Sequence, residues 1–251
     1  MVGPRRKYHR TDRKEPATKV NDDIRFSEPL YTVAEAARFL GVPPTTLSTW
    51  AKGYVRRPQA RPMVQGDAVI TSMTGATNFP SIPFVGLAEG MVIAAFRRAG
   101  VSLQHIRKAV SILESEIGVD HTLASRRLYT DGAVILYAYA EREDEELAGL
   151  TEVVSRQQVF SAIVAEYLSR IEYGRDGWAS MLVSPATARP VVAVDPARSF
   201  GQPIFIRGAG RVEDVIDRWR AGDPLTEVAE DFGVPLEDVE DALRVALPVA
   251  A

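Results

Sequence analysis

One stretch, residues 31–52 with the sequence YTVAEAARFLGVPPTTLSTWAK, constrains the fold more than any other. It begins with a helix that we expect to run from Val33 to Leu40. Thr32 is placed to cap this helix, and Glu35, three residues later, completes a capping box. Gly41 then ends the helix, because glycine adopts the left-handed conformation of a helix C-terminus at the lowest steric cost.

A second helix follows from Thr45 to Lys52, with Pro44 at its first position. Small Ala37, four residues before Gly41, lets the two helices approach closely, and Leu47, six residues after that glycine, packs between them. This spacing predicts a helix-turn-helix, a motif that places its second helix in a DNA groove. An ordinary helical hairpin with a solvated polar face is the alternative.

The outward face of the second helix carries hydroxyl groups and a cation, which suit phosphates and base edges. Arginines interleaved with prolines follow it, and a basic arm precedes it. Together these groups predict a DNA-binding surface. Its candidate residues are Thr45, Thr46, Ser48, Thr49, Lys52, Arg56, Arg57, Arg61, Arg5, Arg6 and Lys7.

The net charge of -3 hides a strong asymmetry between the two ends of the chain. Residues 1–20 carry seven Lys or Arg against two acids, a net of +5, whereas residues 211–251 carry four Arg against eleven acids, a net of -7. One end should therefore be attracted to polyanions and the other repelled. Residues 1–25 show no hydrophobic period and predict a mobile arm, which either contacts phosphates or only aids solubility.

Short strands and two helices should follow the motif. Residues 69–71 and 82–85 read as two strands around a polar loop, which predicts a β-wing. Helices are expected over residues 84–99 and 103–116, the second capped by Ser102. The arginines and the Gly-Val-Ser-Leu sequence at their junction resemble the second helical pair of MerR-like regulators, although no long C-terminal coiled coil follows.

The middle of the chain has a mixed pattern. Residues 127–140 predict a strand or hairpin that turns at Asp131-Gly132, and residues 157–171 predict an amphipathic helix. Short strands are expected over residues 178–183 and 190–194. The alternation is too uneven to give a strand order.

The C-terminal region repeats the spacing of the first motif at an offset of 192 residues. Ala229, Gly233 and Val239 stand where Ala37, Gly41 and Leu47 stood, and Asp223-Pro224 should cap and open the helix before the turn. The outward hydroxyls have become carboxylates, which would repel phosphates. These acids are Glu237, Asp238, Glu240 and Asp241. We therefore expect this copy to contact protein; a plain acidic hairpin is the alternative.

The segment from Val194 to Leu247 carries a series of short motifs. In order they are Asp195-Pro196, Ser199-Phe200-Gly201-Gln202-Pro203, an arginine-rich turn, Ala221-Gly222, Glu227-Val228-Ala229, Phe232-Gly233-Val234 and a final helix. The series resembles the family called domain of unknown function four-three-three, although the turn after Gln202-Pro203 is longer here and lacks the family's usual threonine. The resemblance implies an antitoxin of the VapB type, a class paired with PIN-domain ribonuclease toxins.

That resemblance also implies a mode of contact. A PIN nuclease holds metal with clustered carboxylates, and an antitoxin can occlude the cleft with an arginine that pairs with those acids. Three arginines of the segment are therefore candidates for partner binding: Arg198, Arg207 and Arg211.

Several classes of function are disfavoured by the sequence. The chain has no cysteine, so thiolate catalysis and thiolate metal sites are excluded. His9, His105 and His121 show no ligand spacing, and no glycine-rich phosphate loop follows a strand. We expect no catalytic residue, metal or cofactor. Apolar runs are too short to span a bilayer and no signal peptide is evident, which predicts a cytoplasmic protein.

We therefore expect an α+β, mainly helical protein with four parts. These are a basic flexible arm at 1–28, a winged, MerR-like helix-turn-helix domain at 29–118, a mixed α/β segment at 119–193 and a helical, helix-turn-helix-like antitoxin domain at 194–251. The predicted function is that of an antitoxin that neutralises a PIN-domain ribonuclease toxin and binds operator DNA as a homodimer. A MerR-like regulator that senses a small ligand, and an adaptor that binds no DNA, are the alternatives.

Overall fold

The computed structural model describes residues 23–56, 63–76, 78–128, 164–208 and 210–246. Its principal helices are α1 (Ile24–Ser27), α2 (Val33–Leu40), α3 (Pro44–Lys52), α4 (Phe84–Arg98), α5 (Leu103–Ile117), α6 (Val212–Arg220), α7 (Leu225–Asp231) and α8 (Leu236–Ala246). Its strands are β1 (Pro29–Tyr31), β2 (Tyr54–Arg56), β3 (Val64–Gly66), β4 (Ile82–Pro83), β5 (Ile171–Tyr173), β6 (Ala179–Val183), β7 (Val192–Val194) and β8 (Ile204–Phe205). The predicted α+β class, with helices dominant, is confirmed.

Helix α4 is the centre of the N-terminal half. Every residue from Phe84 to Ala95 is buried, as expected for a helix that is apolar on all sides. Helices α1, α2, α3 and α5 all contact it. The short strands β1 and β4 pair antiparallel at its N-terminal end. The recognition motif α2–α3 therefore rests on a rigid support.

The C-terminal half is built on a small antiparallel sheet in the order β5-β6-β7-β8, so each strand pairs with its neighbour in sequence. Leu182 lies opposite Val194, and Ala193 lies opposite Ile204. All residues of β7 are buried, so this strand runs through the core. Helices α6, α7 and α8 contact one another in a three-helix cluster.

The two halves share one hydrophobic core. Two buried hydrogen bonds join them. The Ser184 hydroxyl donates to the Phe39 carbonyl at the end of α2 over 2.6 Å, and the Tyr31 hydroxyl donates to the Gly201 carbonyl over 2.9 Å. Burial raises the pKa of Tyr31, so its hydroxyl remains a donor at any physiological pH. The helix-turn-helix is thus fixed relative to the C-terminal region.

The predicted flexible arm is too long at its C-terminal end. Residues 1–22 lie outside the described residues, but Asp23 caps α1 and Arg25 forms ion pairs with both Asp23 and Asp176. The Phe26 ring packs edge-on against Trp178, with 5.4 Å between ring centroids. Residues 23–28 are therefore anchored to the sheet.

The prediction that residues 69–71 and 82–85 form the wing is wrong. Residues 69–71 form no strand, because the Val69 N–H donates to the Trp50 carbonyl at the end of α3 and the side chain turns into the core. Residues 82–83 are a strand, but they pair with β1 and the chain then enters α4. The wing is instead the hairpin of β2 and β3.

Three smaller expectations also fail. Arg127 and Leu128, placed in a strand, are helical, because Ser125 accepts the Arg127 N–H and caps a new turn; the remainder of the predicted hairpin lies outside the described residues. Residues 164–168 are helical as predicted, but Ile171 belongs to β5. Asp223 does not cap α7, because its carboxylate accepts a hydrogen bond from Arg218 instead.

Candidate nucleic-acid and partner interfaces

The first helix of the helix-turn-helix has the predicted ends. The Thr32 hydroxyl accepts the Glu35 N–H over 3.2 Å, and the Glu35 carboxylate accepts the Thr32 N–H over 2.8 Å. Gly41 adopts the left-handed conformation at φ 67°. Because both ends are determined by local hydrogen bonds and backbone conformation, the sequence alone was sufficient to place α2.

The recognition helix α3 is oriented by three buried side chains, Leu47, Trp50 and Ala51. It packs on α4 near Gly90, where a Cβ would lie 2.8 Å from Leu40 Cδ1 and 3.8 Å from Leu47 Cδ1. The absence of a side chain at Gly90 lets α2 and α3 approach the supporting helix closely. The opposite face of α3 is therefore held outward.

That outward face contains the predicted hydroxyls. Thr45 and Lys52 are exposed, and Thr46, Ser48 and Thr49 are half-buried. The Thr49 hydroxyl donates to the Thr45 carbonyl over 3.0 Å, so it remains available to an outside partner only as an acceptor. No carboxylate belongs to this helix. The face can approach phosphates without like-charge repulsion.

The wing lies directly after the recognition helix. Tyr54 pairs with Gly66 and Arg56 with Val64 across β2 and β3. Arg56 thus belongs to the wing, whereas Arg57 and Arg61 lie outside the described residues, as do Arg5, Arg6 and Lys7 of the arm. Two predicted surfaces, the recognition helix and the start of the wing, therefore adjoin.

Arg107 of α5 positions the base of this wing. Its guanidinium carbon lies 5.1 Å from the centroid of the Tyr54 ring, and its Nε donates to the Asp67 carbonyl over 2.9 Å. A Cβ on Gly66 would lie 2.8 Å from the guanidinium carbon, so the arginine fills the space that the glycine leaves. No sequence signal predicts this role, because the contact spans 40 residues.

A polar network lies behind the recognition helix. The Glu89 side chain is buried in α4 and accepts the Thr71 N–H over 2.5 Å and the Thr71 hydroxyl over 3.1 Å. Nδ1 of His121 lies 3.1 Å from Glu89 Oε1 and 2.9 Å from Thr71 Oγ1. The hydrogen bond to Glu89 raises the pKa of His121. Neither Glu89 nor His121 has a role that the sequence predicts.

The C-terminal copy of the motif directs two of its four acids inward rather than outward. Asp238 is fully buried and Asp241 is half-buried, so the prediction of four outward carboxylates is wrong for these two. The Arg189 Nη2 lies 2.9 Å from Asp241 Oδ2, and the Arg207 Nη2 lies 2.6 Å from Asp238 Oδ1. Buried carboxylates need such partners. These arginines occupy the face of α8 that corresponds to the DNA face of α3.

The three arginines predicted to bind a partner differ in their surroundings. Arg207 pairs with Asp238 and Glu237, and Arg211 pairs with Asp214 one turn further along the chain. Arg198 is exposed, and its guanidinium has no carboxylate partner among the described residues. The structure therefore does not bring the three together as one free cationic group.

Within the described parts of the chain, no three His, Cys, Asp or Glu side chains are grouped so that they could hold a metal ion. No helix there has both the length and the apolar character needed to cross a bilayer.

Comparison with known proteins places these features in a family. Residues 29–110 match the family model described as "Putative DNA-binding HTH domain", and residues 192–246 match "Protein of unknown function (DUF433)". The chain is 45% identical over 228 residues to "Putative antitoxin VapB45" of Mycobacterium tuberculosis, covering 88% of this chain and 95% of that protein. The chain belongs to the VapB45 family.

Two further comparisons also cover most of this chain and most of the other protein. The chain is 26% identical over 239 residues to "Uncharacterized protein Rv2308" of Mycobacterium tuberculosis, covering 88% of this chain and 94% of that protein. The crystal structure of Rv2018 from Mycobacterium tuberculosis superposes with a TM-score of 0.71 at 40% identity, covering 87% of this chain and 99% of that one. Both the DNA-binding motif and the C-terminal resemblance predicted from sequence are confirmed, and VapB45 family membership supports an antitoxin and DNA-binding role.

Proposed function

We propose that this protein is an antitoxin that binds and neutralises a PIN-domain ribonuclease toxin and represses its own operon by binding operator DNA. One observation carries the proposal: a helix-turn-helix with an acid-free outward face occurs in a chain of the VapB45 family. A member of an antitoxin family that also binds DNA can regulate its own synthesis, because the same molecule responds to the toxin and to the operator.

The DNA half of the proposal rests on α3 and the wing. Helix α3 enters the major groove, where Thr45, Thr46 and Ser48 meet base edges, and Lys52 meets the backbone. Arg107 stabilises the wing, and Arg56, Arg57 and Arg61 are the proposed contacts to the neighbouring phosphates. The basic arm with Arg5, Arg6 and Lys7 adds attraction that is independent of sequence.

A homodimer would bind DNA more tightly than one copy. One recognition helix reads only a few base pairs, whereas two helices about one DNA turn apart read an inverted repeat. We therefore propose that two copies occupy the operator.

The toxin half rests on the C-terminal region. The acidic copy of the motif presents no free recognition face, because Arg189 and Arg207 cover it, so protein contact is its proposed role. Arg198, Arg207 and Arg211 remain the proposed contacts to carboxylates of the toxin. Arg198 is the best placed, because it is exposed and does not first have to leave an acid among the described residues.

The test is a purification of the chain from its native host at low salt, with identification of the proteins and DNA retained. A PIN-domain ribonuclease in fixed proportion, whose RNA cleavage stops when the purified chain is added, is the expected result. DNA retained without any nuclease would reject the antitoxin proposal.

A ligand-responsive regulator is the second candidate, because one observation favours it. A cavity of about 820 Å³ lies between the base of the wing and helices α4 and α5. Asp67, Glu89, Arg107 and His121 contribute to its wall, so a molecule bound there would touch the groups that position the wing. A metabolite that raises the melting temperature and shifts operator affinity would favour this candidate.

A further inference from the structure

The segment Ser199–Gly201 has an unusual backbone. Three consecutive residues are left-handed, with φ of 47° at Ser199, 52° at Phe200 and 75° at Gly201. Glycine adopts this conformation freely, but a bulky residue such as phenylalanine does so only under strain. Such a conformation persists only where the surrounding structure enforces it.

The enforcing contacts surround the segment on both sides. The Gly201 carbonyl accepts the buried Tyr31 hydroxyl, and a Cβ on Gly201 would lie 2.8 Å from that oxygen. The Gly201 N–H donates to the Arg198 carbonyl over 3.0 Å, and the Gln202 N–H donates to the Ser199 carbonyl over 3.0 Å. The loop is thus a rigid turn fixed to the first strand of the helix-turn-helix region.

The strain has no compensation from packing of the Phe200 side chain. This side chain is 78% exposed, the highest value among the large hydrophobic residues of the described chain. An exposed phenyl ring gains nothing from the hydrophobic effect until a partner covers it. Because its backbone is already fixed, Phe200 loses less conformational entropy on binding than a residue of a flexible loop, which suits an interface anchor.

The surroundings indicate the chemistry of that partner. Arg198 lies two residues before Phe200, is exposed, and has no carboxylate partner within the described residues, unlike Arg189, Arg207 and Arg211. An aromatic ring next to an available guanidinium complements an apolar pocket with a carboxylate at its rim. A protein surface with such a pocket and such a carboxylate satisfies both groups.

We infer that Phe200 is the anchor of the toxin-binding surface: its ring enters an apolar pocket on the nuclease, and Arg198 pairs with a carboxylate beside that pocket. This inference rests on the proposed antitoxin function. It explains why a strained conformation is kept at a residue that contributes no core packing.

The test uses Phe200→Asn, because asparagine tolerates the left-handed conformation and lacks the ring. The ribonuclease that co-purifies with the wild-type chain is the probe. We expect its affinity to fall at least about 30-fold, the loss typical of an interface hot spot. The melting temperature of the free variant should stay the same or rise, and operator affinity should stay the same.

Phe79→Ala is the matched control, because Phe79 is 66% exposed on a different loop and has no such backbone strain. It should leave toxin affinity within a few-fold of wild type. If Phe200→Asn binds the toxin as well as wild type, or if it alters only self-association measured by light scattering, the inference is overturned and the antitoxin function stands. If the wild-type chain binds no ribonuclease, both are overturned.

Discussion

Nη2 of Arg207 lies 2.6 Å from Oδ1 of Asp238, and Arg207 Nε lies 2.9 Å from the other carboxylate oxygen. This two-pronged contact joins an exposed guanidinium to a fully buried carboxylate. Asp238 belongs to α8, and Arg207 belongs to the turn after β8. The pair therefore fixes the last helix against the sheet, and it covers the face of α8 that corresponds to the DNA face of α3.

Arg207→Ala should lower the melting temperature by several degrees, because among the described residues it leaves the buried Asp238 with Arg189 alone as an ion-pair partner, at 3.6 Å. Arg211→Ala should change it little, since Arg211 and Asp214 form an exposed pair. Thermal unfolding followed by circular dichroism measures both. Equal effects of the two substitutions would show that the buried pair does not stabilise α8. Loss of toxin binding in Arg207→Ala must therefore be judged on protein confirmed to be folded.

Stability should depend on pH through His121. Its folded pKa is raised above the ordinary 6.5, chiefly by its hydrogen bond to Glu89, so the charged form is favoured in the folded state. The charged His121 therefore adds to the free energy of unfolding. That stabilisation is fully present below the unfolded pKa and is lost as pH rises through the raised folded pKa. Glu114 and Asp120 are the other charged groups that raise it, and the desolvation from burial opposes them.

Urea unfolding from about pH 5.5 to about pH 8.5 would measure this loss. His121→Asn is the comparison, because His121 is left-handed at φ 57° and asparagine tolerates that conformation. The decline in unfolding free energy over this range should be smaller in the variant. A parallel decline in both proteins would assign the pH dependence to other groups.

Local signals explain what the sequence could predict. The capping box of Thr32 and Glu35 and the left-handed Gly41 are contained within ten residues, so the ends of α2 follow from neighbouring side chains alone. Helix α4 was equally clear, because an apolar run of this length can only be buried. The spacing of Ala229, Gly233 and Val239 also predicts the second helix-turn-helix. It does not predict which way the acids of α8 point.

Contacts between distant residues explain the errors. Val69 and Ile70 have β-branched side chains typical of a strand, yet the Trp50 carbonyl takes the Val69 N–H and a strand ladder never forms. The prediction that Asp241 points outward was wrong because its partner Arg189 lies 52 residues away along the chain. The strain at Phe200 depends on Tyr31, which is 170 residues from Gly201. No local pattern contains such information.

Salt dependence should identify the phosphate contacts. If Lys52, Arg56 and Arg57 each contact one phosphate, neutralising any one of them should reduce the slope of log affinity against log salt by about one. Substitution of Thr45, Thr46, Ser48 or Thr49 should instead change sequence preference and leave the slope intact. Fluorescence anisotropy with operator DNA at several salt concentrations measures both effects. Arg198→Ala is the control that should leave the slope unchanged, and an unchanged slope in Lys52→Ala would remove that residue from the backbone contacts.

Two glycines of α4 offer a sharp comparison of packing. A Cβ on Gly86 would lie 2.1 Å from the Thr71 carbonyl oxygen, whereas a Cβ on Gly90 would meet two side-chain ends, Leu40 Cδ1 at 2.8 Å and Leu47 Cδ1 at 3.8 Å. Replacing glycine by alanine inside a helix gains about 1 kcal/mol of helix propensity. That gain should nearly offset the small rearrangement at Gly90.

At Gly86 the opposing atom is backbone, so the clash must displace Thr71. Thr71 donates to the buried Glu89, and the same loop binds the end of the recognition helix through Val69 and Ser72. We therefore expect Gly86→Ala to lower the unfolding free energy by about 3 kcal/mol, and Gly90→Ala to change it by less than about 1 kcal/mol. Chemical denaturation measures both values. DNA affinity should fall with Gly86→Ala even where the variant is folded, because the displaced loop no longer supports α3; full affinity in a folded Gly86→Ala protein would show that this loop does not orient the recognition helix.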